Sequence, residues 1–147
     1  MIHTIPCKLV GPDGGFLVVV AAVINGAGPY DFALDTGGRN SSIARLLAET
    51  LALPAGATGE SFGFGSAVSF THSRLDTLRL NTLELTDLPV VVADFAPFEA
   101  RLGSRVDGIL GHDVLGRFVL TIDYPNREVR LAEVNQPSTK NAIDRTR

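Results

Sequence analysis

The apolar positions between residues 4 and 34 fall into three runs separated by turn chemistry. Thr4 to Val10 stops at Gly11-Pro12-Asp13-Gly14-Gly15, a cluster that punctuates rather than extends a strand. Phe16 to Ile24 is the longest apolar stretch and is rich in Val. It falls short of the roughly 18 residues a membrane helix needs, so it predicts a buried strand. Asn25-Gly26 then marks a tight reversal, with Gly28-Pro29 closing it, and Tyr30 to Leu34 forms a third strand. That strand ends abruptly on a carboxylate, Asp35, followed by Thr36, Gly37 and Gly38.

After the glycines the period lengthens. Ser41-Ser42 reads as a helix cap, and Ile43, Leu46, Leu47 and Leu51 recur at helical spacing until Pro54 and Gly56 end the segment. Residues 59–75 alternate apolar and small positions around clustered glycines, which predicts a hairpin with its tip near Gly63 to Ser66. Leu75 to Leu85 reads as another hairpin turning at Asn81-Thr82, and Leu88 to Ala93 as a buried strand. Asp94 to Ser104 reads as a loop or short irregular helix. In Val106 to Leu115, the pair Ile109-Leu110 bracketed by Gly108 and Gly111 predicts a strand pressed close to other backbone. Asp113 is placed to cap a short helix through Val114 and Leu115. Phe118 to Asp123 and Glu128 to Ala132 pair across a Tyr124-Pro125-Asn126-Arg127 turn. The polar, unpatterned stretch from 135 to 147 predicts a disordered tail, leaving one domain over residues 1–134.

Composition narrows this picture to an all-β domain with one or two short helices. The chain has 147 residues, 45% of them apolar, with fifteen Gly, eight Pro and no Trp, which fits a turn-rich globular fold. A net charge of −3 gives no electrostatic case for nucleic acid or an anionic membrane. The single cysteine, Cys7, excludes an internal disulfide and reads as a small buried hydrophobe. The N-terminus lacks the basic start and cleavage site of a signal peptide, so a cytoplasmic location is the default expectation, or a periplasmic one if a leader has been removed. His3, His72 and His112 stand in no metal-ligand spacing, and no cofactor is implied.

One carboxylate remains conspicuous. An acid at the end of a buried strand is unfavourable unless nearby groups compensate it, and two glycines behind it allow close backbone approach. Leu34-Asp35-Thr36-Gly37 resembles the catalytic signature of aspartic peptidases. Asp107-Gly108-Ile109-Leu110-Gly111 is similar to the hydrophobic element that threads beneath that loop. In order and spacing the two resemble the retropepsin-like, single-lobe branch of the pepsin clan, bacterial type. Val106 to Leu131, with Thr121-Ile122-Asp123-Tyr124-Pro125-Asn126 inside it, is especially close to the bacterial pattern. The triplet alone is weak; an apolar strand before it and a Gly-Ile-Leu-Gly element about 70 residues later make it specific.

The resemblance implies a closed, barrel-like acid-protease lobe and an aspartic endopeptidase. Two carboxyls about 3 Å apart cannot both ionise, so they share a proton and supply a base and an acid at once. Asp107, Asp113 and Asp123 lack the strand-Asp-Thr-Gly context and read as turn, cap or surface groups. The second carboxylate then comes from a second copy of the chain, which predicts a two-fold homodimer. By the same resemblance Thr36 bonds across the dimer axis, Gly37 admits substrate backbone, and Ile109, Leu110 and Gly111 support the loop. Phe62, Gly63, Phe64 and Gly65, through to Ser66, would form a flap over an extended peptide, with Gly38 also at the substrate and Arg39 either anchoring a substrate carboxylate, pairing within the dimer or pointing to solvent. Two departures stand out: Gly38 where Ala is usual, and Arg39 where bacterial relatives often carry Ser or Thr. Two other readings stay open: an inactive peptide-binding or dimerisation module on the same fold, and one half of an assembly whose other lobe is a different protein.

Overall fold

The computed structural model describes residues 1–63 and 66–134, with the backbone alone at 61–63 and 66–68. The expected flap tip at Phe64-Gly65, the side chains of Phe62 and Ser66, and the expected tail at 135–147 therefore lie outside the described residues.

Three strands open the chain, β1 (Ile2–Val10), β2 (Leu17–Ile24) and β3 (Ala27–Leu34). They pair in antiparallel order, and Gly28-Pro29 lies inside β3 rather than in the turn. The turn falls on Asn25-Gly26, both at positive φ, as an Asn-Gly reversal requires. Next come β4 (Ser42–Ala44) and α1 (Arg45–Thr50). Here the sequence expectation changes. Ser41-Ser42 does not cap the helix; Ala44 occupies that position with no side-chain bond, and Ser42 to Ala44 are in a strand. The cause is tertiary: β4 is held between two neighbours, which outweighs local helix-start chemistry. Leu46 consequently points to solvent, 71% exposed, while Leu47 and Ala48 form the buried face.

The central hairpins are β5 (Thr58–Gly63) with β6 (Ser66–Leu80), and β6 with β7 (Leu83–Ala93). The first closes with Gly63 opposite Ser66, the second with Leu80 opposite Leu83 around Asn81 at positive φ. Then follow α2 (Ala96–Leu102), β8 (Gly108–Leu110), α3 (His112–Leu115), β9 (Phe118–Asp123) and β10 (Glu128–Glu133). Helix α2 has Pro97 in its first turn and ends on Gly103 at φ 73°, so the 94–104 segment is helical for seven residues.

All ten strands join in one sheet ordered β5-β6-β7-β4-β8-β3-β2-β1-β10-β9, and a further β2–β6 pairing closes six of them into a ring. Strand β8 is parallel to β3 and antiparallel to β4, filling the gap between them. Inside the ring, Val18, Val20, Ala22 and Ile24 of β2 meet Phe32, Leu34, Leu75, Leu78 and Leu110. On the outer side, Val19 and Ala33 pack with Phe95, Leu102 and Val106, where α2 covers the sheet. Strand β2 is thus buried on both faces from Val18 to Val20, where its sequence runs apolar without alternating, while Ala21 farther along its outer face is exposed. Strand β3 has the same double cover over its last three residues, so Asp35 emerges from a rigid support. Among the described residues no helix is long and apolar enough to cross a membrane.

Candidate active site

Asp35 leaves the end of β3 as the first exposed residue after three buried ones. Its backbone N–H donates to the Leu110 carbonyl at 2.9 Å, continuing the β3–β8 ladder one step beyond the strand. The loop then folds back on the side chain. Gly37 N–H and Gly38 N–H both donate to Asp35 Oδ1, at 3.1 and 3.0 Å, and Gly38 N–H also reaches the Asp35 carbonyl at 3.1 Å. The compensation expected for this carboxylate is therefore backbone N–H and solvent. Both bonds converge on one oxygen and hold Oδ1 against the loop backbone. Among the described residues nothing donates to Oδ2, and Thr36 Oγ1 has no partner.

The glycines have separate structural reasons. A side chain at Gly38 would place its Cβ 2.6 Å from Asp35 Oδ2. The carboxylate occupies the room left by the missing methyl, and an alanine there would force it to turn. At Gly111 a Cβ would stand 2.8 Å from the carbonyl carbon of Asn40 and 2.9 Å from the Gly38 oxygen. At Gly108 it would run into the Phe32 ring. The expectation of a strand pressed close to backbone is met at Gly111; at Gly108 the close neighbour is a side chain.

Ile109, Leu110 and Gly111 thus lie directly against the Asp35 loop, with Leu110 fully buried. Two more backbone bonds continue the contact: His112 N–H to the Gly38 carbonyl at 2.7 Å and Asp113 N–H to the Arg39 carbonyl at 3.2 Å. Arg39 is exposed and makes no ion pair among the described residues. Strands β5 and β6 carry Phe62 and Gly63 toward their hairpin end, but Phe64 and Gly65 lie outside the described residues.

Asp113 corrects a sequence reading. It caps nothing: Gly111 stands at the start of α3. Its carboxylate instead reaches back 72 residues to Ser41, accepting the Ser41 N–H on Oδ1 and Oδ2 at 3.0 Å each and the Ser41 hydroxyl on Oδ1 at 2.6 Å. The Ser41 oxygen in turn accepts the Gly111 N–H at 3.0 Å, and Ser41 is fully buried. Asp107 is likewise structural, accepting the Asp31 N–H at 3.0 Å. Asp123 is a turn group, as expected. The Asn126 side-chain amide, with the Asn126 backbone N–H and Arg130 behind it, holds its carboxyl below the usual value of 3.8. Ser41 and Asp113 were the members that sequence reasoning missed. Their common signal was a hydrogen-bonding side chain directly behind each of the two glycine-bearing elements. Among the described residues no group of three or more His, Cys, Asp or Glu could hold a metal ion.

Known proteins give a consistent picture. The family described as aspartyl protease matches residues 20–114, which contain both the Asp35 loop and β8. No curated protein matches the chain. A retropepsin-like aspartic protease from Rickettsia conorii shares the fold with a TM-score of 0.58 at 18% identity, over 89% of this chain and 90% of that one. The retroviral protease-like domain of Ddi1 from Leishmania major gives 0.53 at 17% identity, over 83% and 97%. The EIAV protease, in complex with the inhibitor HBY-793, gives 0.50 at 21% identity, over 73% and 92%.

Proposed function

The chain belongs to the aspartyl protease family, and from that premise we propose that it is an aspartic endopeptidase built as a two-fold homodimer with one Asp35 from each protomer. The observation that carries this reading is the half-complete Asp35 site. One carboxylate has Oδ1 held by two backbone N–H groups and Oδ2 without a partner, at an exposed loop that contributes no second acid.

In the proposed dimer the two Asp35 carboxyls share one proton. The ionised member takes a proton from a bound water while the protonated member hydrogen-bonds the substrate carbonyl oxygen. The water oxygen bonds to the carbonyl carbon as the carbonyl π bond opens and its oxygen takes the proton of the protonated member, giving a tetrahedral diol and leaving the dyad with the one proton taken from water. When the diol collapses, the nitrogen takes the dyad's proton, the C–N bond breaks, one diol hydroxyl returns its proton to the dyad, and a carboxylic acid and an amine leave with the shared proton restored. Thr36, with its hydroxyl free, bonds across the two-fold axis and keeps the paired loops rigid. Gly37 and Gly38 admit an extended peptide backbone close to the acids. Phe62 to Gly65 close over that peptide as a flap, adding strand-like bonds and excluding water. Arg39 lies beside the substrate, and Ile109 to Gly111 support the loop from beneath.

The test is cleavage of a peptide library from acid to neutral pH by wild type and Asp35→Asn, with pepstatin as inhibitor. The proposal requires wild-type cleavage that pepstatin blocks and the substitution removes. A wild type that cuts nothing across that range contradicts it.

A further inference from the structure

We propose that Asp113 and Ser41 form a positioning pair that locks the Asp35 loop in its working shape. The inference rests on the reading of Asp35 as the catalytic acid and adds residues to that site that carry none of its chemistry themselves.

The loop begins at Asp35 and ends at Ser41, the residue before β4 takes up its ladder. It contains adjacent glycines at 37 and 38, and so carries more backbone freedom than any other sequence would. Three backbone bonds tie it to residues 110–113: Asp35 N–H to Leu110, His112 N–H to Gly38, and Asp113 N–H to Arg39. These hold its first half and middle. Its exit at Ser41 has one backbone bond, accepted by the Ser41 carbonyl from Val91 N–H at 3.0 Å on the β7 side, and toward residues 111–113 it is held only by bonds that involve the Ser41 and Asp113 side chains.

At that exit the donors and acceptors leave no alternative arrangement. Gly111 N–H donates to Ser41 Oγ at 3.0 Å, so the serine hydrogen must point elsewhere, and it points to Asp113 Oδ1 at 2.6 Å. The Ser41 N–H goes to the same carboxylate at 3.0 Å. A single backbone donor would be satisfied by a neutral acceptor or by water. A carboxylate that takes both donors of one fully buried serine, while that serine takes the N–H of Gly111, removes the rotations left to the exit. Asp113 also anchors Arg39 through its own N–H, so one residue grips the loop at two points. Both ends of the Asp35 loop are thereby referred to a single four-residue segment, and the carboxylate is held where its partner's must meet it.

The test compares full-length Ser41→Ala, Ser41→Thr and Asp113→Asn with wild type. It uses steady-state kinetics on a peptide the wild type cuts and amide exchange by NMR. Loss of the hydroxyl in Ser41→Ala lowers kcat by about tenfold or more with KM within about twofold, and Ser41→Thr, which keeps the oxygen, recovers most of the rate. Asp113→Asn, whose NH2 opposes the Ser41 N–H, falls with the alanine variant. In both impaired variants the Gly37 and Gly38 amides exchange faster by about tenfold, while Val20 and Leu78 in the ring are unchanged. Should Ser41→Ala fail to fold, Asp113→Asn, altered at a half-buried position, carries both readouts. Unchanged kcat in a folded variant overturns the proposal, as does exchange that rises equally throughout the chain. If the wild type cuts nothing, the endopeptidase reading falls separately, and the local exchange of Gly37 and Gly38 decides whether the pair holds the loop.

Discussion

Asp35 is an exposed carboxylate whose Oδ1 accepts two backbone N–H groups and whose Oδ2 has no donor among the described residues. Asp35→Asn keeps an oxygen that accepts the Gly37 and Gly38 N–H groups but removes the ability to take and return a proton. The expected result is an unchanged melting temperature with cleavage reduced by about 100- to 10,000-fold, measured by scanning fluorimetry and peptide turnover. At this scale the sequence was most legible where a residue's role depends on its immediate neighbours. The apolar run into Asp35 and the glycines after it announced a held carboxylate. Ser41 and Asp113 were opaque for the opposite reason. Each has a respectable local use as a helix cap, and only the folded chain shows that they bond to each other across 72 residues.

The decisive element is β8, a strand of only three residues set between β3 and β4. Gly111, the residue after it, faces the backbone of Asn40 and Gly38, and backbone cannot swing away as a side-chain end can. Gly111→Ala is expected to lower stability by about 1–3 kcal/mol and to weaken cleavage with it. Urea unfolding checks this as a lower midpoint at constant m. The β9–β10 turn carries a pH dependence of known sign. The Asp123 carboxyl titrates below 3.8 in the folded chain, first because Asn126 donates to it, so its contribution is present above 3.8 and is lost as pH falls through the lower folded value. Between pH 5 and about 3 the urea midpoint of the wild type should fall more than that of Asp123→Ala. Hairpins were the most legible elements, because Asn25-Gly26 and Asn81 supply the positive φ that fixes their register. Strand β4 was the least, since three residues hold no period and its strand geometry comes from pairing with β7 and β8.

For the whole molecule, the ring closed by β2 and β6 supplies the rigid body, and the Asp35 loop is its one acid-bearing feature with an Asp-Thr-Gly context. In the proposed homodimer a two-fold axis through this loop brings identical groups together, so every contact made by one protomer is returned by the other. A dimer by itself would not separate a shared site from two independent ones. The most direct measurement is therefore peptide cleavage by wild type unfolded and refolded together with Asp35→Asn at varied ratios and constant total chain. If each site needs both Asp35 residues, activity follows the square of the wild-type fraction, and an equal mixture retains about a quarter of the wild-type rate. Activity in direct proportion to that fraction, about half at equal mixing, would contradict the shared dyad.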